Sequence, residues 1–136
     1  MAELYYHCTE KIDLNDIQKC AIKIGIRGNF VVSVGQEKLY FEELIDGKLN
    51  WIFELTVRKE DLFGEIFDSF KRELKVMTVI EFEFNYSNID TLRMLLSCVM
   101  QTYNGWFVDD IAPNFETSTK GKYFYYFKGN IEDFGK

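Results

Sequence analysis

The sequence predicts an α+β protein of two layers, an antiparallel or mixed sheet with about three helices packed on it. Three observations lead there. Apolar residues recur at helical spacing in three separated segments, segments between them alternate with a period of two, and an Asp-Gly step joins two apolar runs. The 136 residues contain no linker, repeat or low-complexity tract, so a single domain over 1–136 is expected. A chain of this size buries roughly two-thirds of the surface its unfolded form exposes.

The elements follow in order. Residues 4–9 are short and apolar enough for a strand. Asp13, with Asp16 three residues later, is placed to cap a helix carrying Leu14, Ile17, Ala21 and Ile24, which Gly25 would end. The alternative is that 21–26 is already a strand. From Asn29 the pattern becomes β: a strand over 30–34, a turn around Gly35 and Gln36, a strand over 38–44, a turn at Asp46 and Gly47, and a strand over 49–57. Consecutive strands joined by tight turns make an antiparallel meander.

Residues 59–74 return to a helical period, with Leu62, Phe63, Ile66, Phe67, Phe70 and Leu74 on one stripe, acids early and bases late. Residues 77–86 alternate strictly, Ile80, Phe82 and Phe84 against Glu81 and Glu83, which predicts one core face and one wet face. Ser87 and Asp90 form a capping-box pattern before a helix with Ile89, Leu92, Leu95, Leu96, Val99 and Tyr103, closed by Asn104 and Gly105. A short strand over 106–110, an irregular stretch over 111–121 holding the only proline, and an aromatic strand over 122–128 complete the chain before a fraying end.

Composition excludes more than it selects. With 47% hydrophobic and 28% charged residues the chain is not disordered, and 17% aromatic content is high. Cys8, Cys20 and Cys98 are odd in number and widely spaced, against a disulfide framework and for a reducing compartment. The first ten residues lack a signal-peptide pattern and no apolar run approaches a membrane span, so a cytoplasmic protein is expected. The net charge of −6 disfavours nucleic acid and anionic membranes and favours basic partners.

Catalytic motifs are scarce. His7 is the sole histidine, and as a strand neighbour of Cys8 its side chain should diverge from that thiol. No paired-cysteine spacing, phosphate loop or dinucleotide fingerprint is present, so neither metal nor cofactor is expected. Carboxylate pairs are the exception: Glu42 and Glu43, Glu81 and Glu83, Asp109 and Asp110. Glu81 and Glu83 would lie about 6.6 Å apart on one strand face, a spacing that acid/base catalysis could use if a pocket enclosed them. Solvated sheet-face acids are the commoner reading. The run Tyr123, Phe124, Tyr125, Tyr126, Phe127 could stack bases, but with few cations beside it core or interface packing is favoured.

The segment SNIDTLRMLLSCVMQTYNGWFVDD, residues 87–110, resembles a pattern in small bacterial immunity proteins: a capped leucine-rich helix, a glycine, then an aromatic strand ending in acids. Such proteins neutralise the toxin domains of contact-dependent growth inhibition and other polymorphic toxin systems. The resemblance covers 24 of the 136 residues. It implies a non-enzymatic inhibitor whose partner is a cognate toxin domain, for instance a basic nuclease. From charge and expected exposure, the partner-binding residues would be Glu42, Glu43, Asp46, Trp106, Asp109, Asp110, Tyr123 and Tyr125. Two other readings compete: a small enzyme using the Glu81 and Glu83 pair, and a module that forms a homodimer through 122–128.

Overall fold

The computed structural model describes residues 2–58, 75–85 and 89–108. They form an α+β arrangement: strands β1 (Ala2–Cys8), β2 (Asn29–Ser33), β3 (Gln36–Ile45), β4 (Lys48–Arg58), β5 (Thr78–Phe84) and β6 (Gly105–Val108), with helices α1 (Leu14–Lys23) and α2 (Ile89–Thr102). The strands make one sheet in the order β2-β3-β4-β5-β1-β6, and every pairing is antiparallel. Two helices are present among the described residues. The third expected helix, over 59–74, lies outside them, as do Ser87, the segment 111–121 and the strand expected over 122–128.

Helix α1 begins as the sequence implies. Asp13 is extended, its carboxylate accepts from the Asp16 N–H at 3.1 Å, and the Asp16 carboxylate accepts from the Asp13 N–H at 2.9 Å, a reciprocal cap. The helix runs to Lys23, so residues 21–26 do not start a strand. Its buried residues Leu14, Ile17, Cys20 and Ala21 meet Leu92, Leu95, Leu96, Val99 and Met100 of α2, and both helices cover one sheet face carrying Leu4, Tyr6, Cys8, Leu39, Phe41, Leu55, Ile80, Phe82, Phe84 and Phe107. Phe82 stands edge-on to Phe107 at 5.5 Å, and Tyr6 stacks on Phe107 at 4.5 Å.

Both hairpins turn in two residues. Asp46 (φ 50°) and Gly47 (φ 78°) join β3 to β4, and Val34 (φ 53°) and Gly35 (φ 72°) join β2 to β3. The first hairpin therefore turns one residue earlier than the sequence suggests. Two left-handed positions are needed, and with Gly35 second the first falls on Val34, a β-branched residue ill suited to it.

Gly105 also differs from expectation. It is the first residue of β6, paired with Cys8, rather than a helix stop. A Cβ there would run into the His7 carbonyl oxygen and come within 2.8 Å of the Tyr6 ring, so close strand approach is what requires glycine. The end of α2 is tied to β1 nearby: the Tyr6 hydroxyl donates to the Tyr103 carbonyl at 3.0 Å, the Thr9 N–H to the Asn104 carbonyl at 2.9 Å, and the Asn104 N–H to the Glu10 carboxylate at 2.8 Å.

One buried device was not legible in the sequence. The Gln18 side-chain amide pairs with the Gly28 backbone in both directions, at 2.6 and 2.9 Å, pinning α1 to the segment that enters β2.

Candidate functional site: the polar sheet face and the projecting hairpin

The expectation of a wet second face is overturned at the sheet centre. Registry places His7, Val79 and Arg58 in one cross-strand row, Tyr5, Glu81 and Thr56 in the next, and Glu3, Glu83 and Glu54 in a third. His7, Val79, Tyr5, Glu81 and Thr56 are all buried. His7 thus faces away from Cys8, which lies in the helix-covered core. Strand alternation keeps the two apart, as the sequence implies.

Glu81 is held at both oxygens. The Tyr5 hydroxyl lies 3.0 Å from its Oε1, and Arg58 Nη1 lies 3.5 Å from its Oε2. The same hydroxyl is 2.6 Å from Glu3 Oε2, so one phenolic proton serves two carboxylates. Burial, then the bond to Glu3 and the charge of Glu81, push the Tyr5 phenol well above its ordinary pKa. Glu83 is half-buried, and burial, followed by the charges of Glu81 and Glu54, raises its pKa, with Lys38 opposing. Three carboxylates directly opposite one another across β1, β5 and β4 repel. The Lys38–Glu54 ion pair at 3.3 Å relieves part of that repulsion.

Glu3, Glu81 and Glu83 each offer a carboxylate oxygen, all within 4.8 Å of one another, the hard-oxygen chemistry that suits a divalent cation. Glu81 already bonds Tyr5 and ion-pairs with Arg58, and Glu3 bonds Tyr5. The arrangement serves first to lock β1, β5 and β4 together. As an acid/base pair Glu81 and Glu83 are unequal, one buried and occupied, the other raised in pKa.

The β3–β4 hairpin continues the same face beyond the sheet. β2 pairs with β3 only as far as Tyr40, and β5 pairs with β4 only from Phe53, so the arm from Phe41 to Ile52 has no further strand beside it among the described residues. Between Phe41 and Glu42 the register shifts: Phe41 faces Phe53 and Glu42 faces Trp51, leaving Ile52 as an extra residue that turns into the core. Because β3 alternates without interruption, Tyr40, Glu42 and Leu44 stay on the face opposite α1 and α2, with Glu54, Trp51 and Leu49 as their partners. Leu44 and Leu49 oppose each other and are two-thirds exposed. Tyr40 lies between acids, and burial with the charges of Glu42 and Glu54 raises its pKa.

The expected partner-binding residues therefore separate. Glu42, Glu43 and Asp46 share the hairpin arm, with Glu42 half-buried beside Trp51 and Glu43 and Asp46 exposed. Trp106 lies on β6, with three strands between it and β3, or about 19 Å at ordinary strand spacing, so it does not join them in one small patch. Asp109, Asp110, Tyr123 and Tyr125 lie outside the described residues. Sequence reasoning missed Glu3, Tyr40, Trp51, Glu54 and Glu83 as a surface, because only the strand order makes them neighbours. No helix among the described residues is long and apolar enough to cross a membrane. No protein-family model, curated protein or solved structure matches the chain.

Proposed function

We propose that this chain is a protein inhibitor, an immunity protein that binds and neutralises a basic toxin domain in the cytoplasm. The observation that supports the reading is the face of the β3–β4 arm opposite α1 and α2, where the exposed Leu44 and Leu49 pair stands beside Glu42, with the Glu54, Glu83 and Glu3 row continuing from it. An apolar centre with an acidic surround suits a basic partner: the leucines and aromatics supply contact energy, and the acids steer encounter and occupy positions that phosphates would fill in a nuclease cleft. The resemblance of residues 87–110 to immunity proteins and the net charge of −6 support the same assignment.

The test is co-expression with toxin domains from adjacent reading frames, followed by binding measurements on the purified pair. Protection and a stable complex are expected. Joint Leu44→Ala and Leu49→Ala replacement should weaken the complex about tenfold or more, and Glu42→Lys should slow association and flatten its salt dependence. Absence of protection by the wild-type chain, or full affinity in the double leucine variant, overturns the assignment.

A further inference from the structure

We infer that β2 is a self-pairing edge through which two copies of this chain join their sheets, about a two-fold axis at Val31. Among the described residues β2 ends the sheet, paired only with β3. Its hairpin fixes which backbone groups look outward. Ser33 and Gln36 flank the two-residue turn, so they form a hydrogen-bonded pair, and alternation makes Val31 with Lys38 and Asn29 with Tyr40 the next such pairs. The N–H and C=O groups of Phe30 and Val32 consequently point away from β3.

An edge of this kind recognises another extended strand, and this strand is its own complement. Antiparallel pairing centred on Val31 sets Phe30 of each copy against Val32 of the other. Each of those two pairs exchanges two hydrogen bonds, using all four outward groups on each side's Phe30 and Val32. The side chains agree. Phe30, Val31 and Val32 are 41%, 45% and 71% exposed, unusual for a run of three large apolar residues. No charge occurs from Gly28 to Gln36, so two chains of net charge −6 can meet there without like charges opposite one another. The acid nearest in sequence, Glu37, lies on β3 across from Val32, one strand back from the seam. The usual protections of an edge, a lysine, a proline or an inward charge, are missing from Asn29–Ser33. This surface is separate from the arm assigned to the toxin, so the two assignments fail independently.

The experiment is sedimentation of the full chain over a concentration series up to about a millimolar, the range of weak complexes, together with cysteine cross-linking. Mass should rise from 16.1 kDa toward twice that value. Val32→Pro removes an outward N–H and no bond to β3, and Val32→Lys leaves the backbone intact while placing a charge at the seam; each should lower the dimer fraction at least about tenfold. The axis sets the two Val31 Cα atoms about 4.5 Å apart, a separation a disulfide can bridge. Val31→Cys should therefore cross-link rapidly under mild oxidation, whereas Val32→Cys, facing Phe30, should not. A wild-type chain that stays monomeric with no Val31→Cys cross-link overturns the inference. So does a dimer that both Val32 variants leave intact, or one in which Val32→Cys cross-links as fast as Val31→Cys.

Discussion

The two faces of the sheet carry the same alternation and different chemistry. Under the helices, Leu4, Tyr6, Ile80, Phe82 and Phe84 bury apolar surface against α1 and α2, a non-directional gain that tolerates no polar atom without a partner. Across the sheet, Tyr5, Glu81 and Arg58 are held by directional contacts whose value depends on each member keeping its neighbours. The first face supplies stability; the second specifies register, since a slip of one residue would set Glu81 against the helices.

Substitutions on the two faces should differ in kind and in size. The largest effect belongs to the helix face: Phe82→Ala should cost about 4 kcal/mol in chemical denaturation, by lost burial and the cavity left beside Phe107. On the polar face Glu81→Gln should cost about 2 kcal/mol, because a buried acceptor is weakened and the Arg58 pair is lost. Tyr5→Phe should cost about 1 kcal/mol. In a double-mutant cycle Tyr5 and Glu81 should be coupled, whereas Phe82 with Glu81 should be nearly additive; strong coupling across the sheet would abolish the distinction between the faces.

The smallest effect has the opposite sign. A carboxyl whose pKa is raised by folding binds its proton more tightly folded than unfolded. Glu83 therefore contributes stability at low pH that is lost as pH rises through its folded value. Glu83→Gln should raise the melting temperature at pH 7, and the gain should shrink toward zero near pH about 4, where the unfolded carboxyl also protonates. A gain independent of pH would assign the effect to something other than charge.

The two described helices were the most legible part of the fold. The Asp13 and Asp16 cap and the stripe from Leu92 to Val99 are local patterns, and each sits where its spacing implies. The Asp46 and Gly47 turn was equally local. Alternation in β5 showed that Glu81 and Glu83 share a face, but not that Tyr5, Thr56 and Arg58 lie beside Glu81, because that follows from strand order, which pairs residues far apart in the chain. Of the surface proposed for a partner, only Glu42, Glu43 and Asp46 could be grouped from sequence. Trp51 and Leu49 join Glu42 and Leu44 through the single extra residue at Ile52, and no local signal marks that residue as a bulge.

That bulge has a consequence for how the molecule could change. Ile52 anchors in the core and absorbs the offset between arm and sheet, so the residues beyond it, exposed from Glu43 to Asn50, are released from the registry that the core demands. Their replacement would cost the fold little, as expected of a segment with so few buried contacts. Other sequences could therefore be grafted between Glu42 and Trp51 while the sheet keeps its pairing.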